Sequence, residues 1–211
     1  MFITFEGPDG GGKTTQVAMT VETLKARGLN VLLTREPGGT DIGNQIRHVL
    51  HDMKNHAMHP RTELLMYSAS RAQIVEEVIK PHMAKGGLVI CDRFFDSTYA
   101  YQGYGHGLDL NQLKLITEFA TGGLKPDLTV LLDIAPEDSL QRRLSSLDKG
   151  GEWNRLDAMA IDFHKRVREG YHALVAADPK RWEVVNAAQS VEKVQTDILA
   201  VLEKRLESRK K

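Results

Sequence analysis

The residues with the clearest chemistry stand near the start of the chain, in a loop rich in glycine. Residues 7–14 match the pattern G-x-x-x-x-G-K-[ST] in full. Glycines let such a loop turn its backbone N–H groups toward phosphate oxygens, Lys13 adds positive charge at the β and γ phosphates, and the Thr14 hydroxyl can bind Mg²⁺. The pattern predicts a triphosphate-binding loop made of Gly7, Pro8, Asp9, Gly10, Gly11, Gly12, Lys13, Thr14 and Thr15.

The loop stands in the context that such a site requires, between the apolar run 2–6 and a helical pattern that begins at Lys13. This establishes nucleotide binding but does not choose among kinases, switch GTPases and motor ATPases. A switch GTPase needs an N-K-x-D sequence to bind guanine, and the chain has none. A motor or helicase is disfavoured by the length of 211 residues and by the absence of a basic excess.

Composition narrows the function classes further. Basic and acidic side chains number 28 each, and this balance disfavours a nucleic-acid or membrane-surface partner. The single cysteine, Cys91, lies in the apolar run GLVIC, which predicts a buried and unreactive thiol. No signal peptide is recognisable and no apolar stretch could span a membrane, so we expect a cytoplasmic protein.

Short apolar runs alternate with helical patterns along the chain. The runs are 2–6, 31–36, 88–93, 128–134 and 182–187. The helical patterns cover 13–27, 62–87 with an interruption at Pro81, 157–177 and 190–207. Strands that are almost wholly apolar predict a parallel sheet covered on both faces, so we expect an α/β fold with five parallel strands between helices. We expect one domain over residues 1–211, with a mobile lid at about 142–157 where the sequence is polar.

A second set of polar residues follows the predicted strands. Ligands of open α/β sheets bind beyond the carboxyl ends of the strands, and Arg35 and Arg93 stand at two of these ends. Their guanidinium groups suit a phosphate dianion. Tyr67 and Arg71 are four residues apart and share one helix face, and with Gln102 they suit a flat base with an amide edge. The acceptor of a phosphoryl group is therefore predicted to be a nucleotide itself.

Five segments in this order resemble the bacterial thymidylate kinases over essentially the whole chain. They are EGPDGGGKTT, TREPGGT, DRFFDSTYAYQG, PDLTVLLDI and NRLD followed by FHKRVREGYHAL. The resemblance implies the P-loop nucleoside monophosphate kinase fold and the reaction ATP + dTMP → ADP + dTDP with Mg²⁺. It also implies a homodimer. Another nucleoside monophosphate kinase, or a deoxynucleoside kinase, is the alternative.

The resemblance assigns the base of the acceptor to one group of residues. Tyr67 would stack on thymine, although its place on an apolar helix also fits a core role. Arg71 and Gln102 would contact the base edge, with Ser97 and Thr98 nearby.

The sugar and phosphate of the acceptor are assigned to a second group. Tyr101 would pack against the deoxyribose and exclude a 2′-hydroxyl, and Asp9 would meet the 3′-hydroxyl. Arg35 and Arg93 would bind the acceptor phosphate. Arg47 would line the mouth of the cleft, or else be a solvated surface charge.

Two acids compete for the magnesium role beside Thr14, because both Asp92 and Asp133 end apolar runs. We prefer Asp92, since the adjacent Arg93 ties that strand end to the phosphates. The histidines of one polar segment are expected to be surface residues without a metal. They are His48, His51, His56 and His59.

The catalytic cations are predicted from the loop and from the lid. One subgroup of these kinases has a basic residue directly after the loop aspartate, but Gly10 stands there, which places the chain in the subgroup with lid arginines. The predicted catalytic residues are Lys13, Arg93, Arg155, Asp9, Arg142 and Lys149. Arg155 lies in NRLD, where the family usually has Asp instead of Asn154. Arg143 is a further lid candidate, or else pairs with an acid on its own helix.

Overall fold

A computed structural model of the chain describes residues 1–147 and 153–208. Its centre is a five-stranded parallel sheet in the order β2-β3-β1-β4-β5. The strands are β1 (Phe2–Glu6), β2 (Val31–Arg35), β3 (Leu88–Asp92), β4 (Leu128–Asp133) and β5 (Trp182–Asn186). The predicted sheet is confirmed, and each strand ends within one residue of its predicted end.

Helices cover both faces of this sheet, as the sequence predicts. They are α1 (Lys13–Ala26), α2 (Asp41–His51), α3 (Pro60–Ile74), α4 (Lys80–Ala84), α5 (Phe95–Thr98), α6 (Leu110–Thr121), α7 (Pro136–Leu147), α8 (Ile161–Ala177) and α9 (Val191–Ser208). Apolar residues of α1 and α9 pack on one face around Ile3 and Phe5. The end of α3 packs on the other face around Phe2, and α8 packs there around Leu131. No helix in the described ranges is both long and apolar enough to cross a membrane.

The long helical pattern at 62–87 is interrupted just before its proline. α3 is followed by a π-helical segment, Val75–Ile79, and then by α4. Pro81 has no N–H group, and its ring needs space next to the carbonyl of Glu77 four residues earlier. The wider π turn relieves this conflict while the chain continues in the same direction.

The strand order decides where the polar loops meet. β1 lies between β3 and β4, and Phe5 is paired with Asp92. The loop after β1 and the turn after β3 therefore leave the sheet side by side. A second π-helical segment, Tyr99–Gly105, continues from α5 and carries Tyr101 and Gln102. Such segments are frequent at functional sites because they change the direction in which side chains project.

Candidate active site

A cleft of about 450 Å³ opens beyond the carboxyl ends of β1, β2 and β3. It is lined by most of the residues that the sequence selects: Asp9, Gly10, Gly12, Lys13, Thr14, Thr15, Arg35, Arg47, Tyr67, Arg71, Asp92, Arg93, Ser97, Thr98, Tyr101, Gln102 and Arg142. Gly7, Pro8 and Gly11 belong to the loop but do not line the cleft, and neither does Arg155. Lys149 lies outside the described residues.

The glycines of the loop are required by close backbone contacts. Gly7 has φ +134°, and a Cβ at this position would lie 2.5 Å from the Leu132 carbonyl oxygen. Gly10 has φ +83°, and its Cβ would lie 2.2 Å from the Ser139 carbonyl oxygen. A larger residue at either position would push the loop away from β4 and α7, and glycine alone adopts these φ values without strain.

Lys13 lies inside the loop. Its Nζ donates hydrogen bonds to the carbonyl oxygens of Gly7 at 3.0 Å and Pro8 at 2.8 Å. Burial and the charge of Arg93 together lower the pKa of Lys13 to about 8, against the opposing charge of Asp9. The ammonium group is thus held where phosphate oxygens would approach.

Thr14 and Asp92 form a pair of oxygen groups next to Lys13. The Thr14 hydroxyl donates to Asp92 Oδ2 at 3.1 Å. Asp133 is engaged elsewhere, because both of its oxygens accept from Arg168 at 2.8 Å and His172 lies 3.2 Å away. Hydroxyl and carboxylate oxygens are ligands that Mg²⁺ accepts, so Thr14 and Asp92 are the residues that could hold this ion.

Arg93 has an unusual backbone conformation that turns the chain out of β3. Its φ is +70°, in the left-handed region that residues with a Cβ seldom adopt. Hydrogen bonds fix the turn on both sides, from the Arg93 N–H to the Phe5 carbonyl at 2.9 Å and from the Phe94 N–H to Glu6 Oε1 at 2.8 Å. Strain of this kind persists where surrounding contacts determine it, often at functional sites.

The Arg93 guanidinium is held by four polar side chains. NH1 donates to Ser97 Oγ at 3.0 Å and to Tyr171 Oη at 3.2 Å. NH2 donates to Asp9 Oδ1 at 2.9 Å and to Tyr101 Oη at 3.2 Å. Burial would raise the pKa of Asp9, but the charges of Arg93 and Lys13 lower it well below its usual range. Asp9 is therefore a carboxylate whose oxygens can only accept hydrogen bonds.

Sequence reasoning missed Glu6, which supports this turn from the end of β1. Its carboxylate is fully buried and accepts hydrogen bonds from the Phe94 N–H, from Ser97 Oγ at 2.5 Å and from Tyr171 Oη at 2.8 Å. Burial and the charge of Asp96 together raise the pKa of Glu6 to about 7, against the opposing charge of Arg93. The acid that ends the apolar run FITFE was the available signal.

Arg71 lies in the wall of the cleft and is only 1 % exposed. Its Nε donates to Glu36 Oε2 at 2.8 Å, and NH2 lies 2.8 Å from the same oxygen. NH1 is buried and has no hydrogen-bond partner among the described residues. An unpaired buried donor is costly, so NH1 is a group for which a ligand would supply the partner. Sequence reasoning did not select Glu36, although it directly follows Arg35.

Three more residues that are predicted to bind the acceptor nucleotide also border the cleft: Tyr67, Thr98 and Gln102. Tyr67 is half-buried, and burial followed by the charge of Glu63 raises the pKa of its hydroxyl. Thr98 is buried, and its hydroxyl has no hydrogen-bond partner among the described residues. Gln102 donates from Nε2 to Glu63 Oε1 at 2.6 Å. Each of these side chains borders the cleft except Glu63, which lies behind it.

Two further arginines, Arg35 and Arg47, line the cleft. Arg35 is exposed at the end of β2, and Arg47 on α2 donates to the Pro37 carbonyl at 3.2 Å. His51 also lines the cleft, contrary to the expectation of a plain surface histidine. Burial and the charge of Arg47 lower the pKa of His51 to about 4, so the ring is neutral at neutral pH. No cluster of three metal-binding side chains occurs among the residues the structure describes.

The predicted lid cations have different environments. Arg142 NH1 donates to the Ala187 carbonyl at 2.8 Å, and its side chain also borders a second hollow of about 590 Å³. Arg143 pairs with Asp157 through Nε at 3.0 Å and NH2 at 2.9 Å, rather than with an acid on its own helix. Arg155 is only 8 % exposed and its NH2 is paired with Glu63 on α3.

The sequence of this chain is similar to known proteins over nearly its whole length. A family model described as Thymidylate kinase matches residues 5–198. The chain belongs to the thymidylate kinase family. It is 51 % identical over 217 residues to a thymidylate kinase of Roseiflexus castenholzii, covering 99 % of this chain and 95 % of the relative. A thymidylate kinase of a second Roseiflexus species is 50 % identical, with 99 % and 96 % covered.

A solved member of the thymidylate kinase family has the same fold. The crystal structure of thymidylate kinase from Ehrlichia chaffeensis superposes with a TM-score of 0.78 and 34 % sequence identity. The alignment covers 96 % of this chain and 98 % of the other. The predicted family and the predicted P-loop kinase fold are therefore confirmed, whereas the roles of individual site residues stay predictions.

Proposed function

We propose that this chain transfers the γ-phosphoryl group of ATP to dTMP and forms dTDP, a step toward dTTP. The observation that supports this most strongly is one cleft with two dissimilar ends. One end is the phosphate-binding loop around Lys13, and the other is a pocket whose wall holds the unpaired donor of Arg71. Arg93 and Asp9 lie between them, where the two substrates would meet.

At the donor end, the loop amides and Lys13 bind the β and γ phosphates. Thr14 and Asp92 would hold Mg²⁺, and the nucleotide and water would complete its shell. The bound ion would neutralise charge on the phosphate oxygens. The second hollow shares Arg142 and Ser146 with the cleft, and we expect it to hold the rest of the ATP molecule.

At the acceptor end, the thymine base lies beside Tyr67, with Arg71 NH1 donating to a base carbonyl. Tyr101 and Asp9 border the sugar, and Tyr101 leaves little space for a 2′-hydroxyl. Arg35 and Arg93 bind the acceptor phosphate, because the planar guanidinium group matches two phosphate oxygens. Arg47 extends the same positive surface at the cleft mouth.

Catalysis in this arrangement is mainly positioning and charge neutralisation. The phosphoryl group in transit carries spread negative charge, which Lys13 and Arg93 are placed to stabilise. Arg142 and Lys149 belong to the predicted lid at about 142–157, which would close over both substrates and exclude water. Arg155 belongs to the same prediction, although in the structure its NH2 is paired with Glu63.

We also propose a homodimer in the cytoplasm. Three helices that pack side by side, α2, α3 and α6, expose apolar side chains to solvent. The most exposed are Leu65 at 57 %, Leu115 at 70 % and Phe119 at 90 %. A row of such residues on a soluble chain is typical of a surface that a second copy covers.

An acceptor panel tests the proposed reaction. The purified chain is given ATP and Mg²⁺ with dTMP, dUMP, dCMP, UMP or thymidine, and ADP formation is measured. We expect the highest kcat/KM with dTMP. A preference for thymidine would identify a deoxynucleoside kinase, and a preference for another monophosphate would identify a different nucleoside monophosphate kinase. A parallel reaction contains GTP and no acceptor, and GTP hydrolysis there would instead favour a GTPase.

A further inference from the structure

Glu63 on α3 is a fully buried carboxylate that lies behind the cleft. Oε1 accepts a hydrogen bond from Gln102 Nε2 at 2.6 Å and lies 3.3 Å from His106 Nε2. Oε2 is paired with Arg155 NH2. Burial alone would raise the pKa of Glu63, but the neighbouring His106 and the Arg155 guanidinium lower it below the ordinary value. The group is therefore ionised and can only accept hydrogen bonds.

An acceptor-only partner fixes the orientation of an amide. Gln102 must turn its NH₂ group toward the carboxylate, because its carbonyl oxygen would be repelled there. Oε1 is then the amide atom left for a ligand in the cleft. Thymine presents a donor, N3–H, on its central edge, whereas cytosine presents an acceptor at the same position. An oriented Gln102 thus favours thymine and disfavours cytosine.

We propose that Glu63 is a positioning residue that sets the base preference of the acceptor pocket through Gln102, with Arg155 as its buried counter-ion. This inference rests on the proposed dTMP kinase function. It gives Arg155 a different role from a lid arginine that touches the transferred phosphate. The guanidinium is buried against α3 and does not line the cleft. Arg155 acts by holding Glu63 ionised and fixed, and by tying the chain around residue 155 to α3.

Three variants separate these roles. Glu63→Gln keeps the size of the side chain, but its amide can present either an oxygen or an NH₂ group to Gln102. The side-chain amide of Gln102 can then adopt either of its two flipped orientations. Arg155→Lys keeps the buried positive charge but replaces the planar guanidinium group with an ammonium group. The double variant Glu63→Gln/Arg155→Met removes both charges together, which avoids leaving one of them buried alone. Arg168→Lys is the matched control, since Arg168 pairs with Asp133 outside the cleft.

The measurements are kcat, the KM for dTMP, the KM for ATP, and the ratio of kcat/KM for dTMP to that for dCMP. For Glu63→Gln we expect the KM for dTMP to rise about three- to tenfold and the dTMP-to-dCMP ratio to fall about tenfold, the scale of one misplaced hydrogen bond. The KM for ATP should change less than about twofold. The double variant should match Glu63→Gln rather than add to it. Arg155→Lys should retain most of the base preference, because it keeps the buried charge.

The outcomes distinguish this inference from the proposed function. An unmodified enzyme that does not phosphorylate dTMP overturns both. An active enzyme whose folded Glu63→Gln variant or double variant keeps the dTMP KM and the dTMP-to-dCMP ratio overturns the role of Glu63 alone. A large fall of kcat in Arg155→Lys, with unchanged acceptor KM, also overturns it and assigns Arg155 to the transferred phosphate. If Glu63→Gln does not fold, the double variant carries the same comparison.

Discussion

Lys13 is a buried cation whose charge depends on pH near neutrality. Its Nζ rests on the carbonyl oxygens of Gly7 and Pro8, and burial lowers its pKa to about 8. The free enzyme therefore loses this charge as the pH rises through 8. Because kcat/KM reports groups of the free enzyme, we expect kcat/KM for ATP to fall about tenfold per pH unit above pH 8.

Substitutions at the same position check the assignment. In Lys13→Arg the fall above pH 8 should disappear, since an arginine keeps its proton there. Lys13→Ala should lower kcat by about two to three orders of magnitude, the scale for losing one transition-state contact. Lys25→Ala, at an exposed lysine of the same helix, is the control. A fall that persists in Lys13→Arg would assign the titration to another group.

At the scale of elements, the turn between β3 and α5 depends on the last residue of β1. Glu6 receives hydrogen bonds from Phe94, Ser97 and Tyr171, which join β1, α5 and α8. These contacts hold Arg93 in its left-handed conformation, with the guanidinium beside Asp9. The Arg93 cation is thus positioned by the end of β1, by α5 and α8, and by its own strained backbone conformation.

Glu6 predicts a specific dependence of stability on pH. Burial raises its pKa from 4.5 to about 7, so the folded state favours the protonated acid. The stability that this provides is complete below pH 4.5 and is lost as the pH rises through 7. Glu6→Gln has no such proton, so its free energy of unfolding relative to wild type should shift upward by up to about 3 kcal/mol between pH 4.5 and 8.

Urea unfolding at several pH values measures this difference. Glu22→Gln, at an exposed glutamate of α1, is the control variant measured alongside it. A difference between Glu6→Gln and wild type that does not change with pH would mean that Glu6 has an ordinary pKa in the folded protein.

At the scale of the whole molecule, the exposed apolar surface of α2, α3 and α6 predicts self-association. Phe119→Asp should convert the dimer to a monomer, because pairing would bury an unpaired carboxylate from each copy. Leu144→Asp is the matched control, since Leu144 is also exposed and apolar but lies on α7. Light scattering on a sizing column measures the mass of each variant. Equal masses for wild type and Phe119→Asp would contradict the proposed interface.

Much of the fold follows from local sequence. Five apolar runs predict the five strands. The reason is clearest for β1, β3 and β4, because strands buried on both faces need apolar residues at almost every position, whereas the edge strands β2 and β5 are partly exposed. The phosphate-binding loop is recognised from residues 7–14 alone, because its glycines are needed for the φ values and close backbone contacts of one short turn. The break at 75–79 follows from Pro81, whose missing N–H group acts within one helical turn.

The roles of the buried charges were decided only by tertiary structure. Arg71 meets Glu36 at a separation of 35 residues, Gln102 meets Glu63 at 39, and Phe94 meets Glu6 at 88. The sequence predicts a catalytic role for Arg155, but in the structure its guanidinium is paired with Glu63, 92 residues away along the chain. The sequence determined which groups can carry charge and which loop can hold phosphate. The fold decided which of those charges lie buried together, because a carboxylate removed from water must bind whatever donors its neighbours provide.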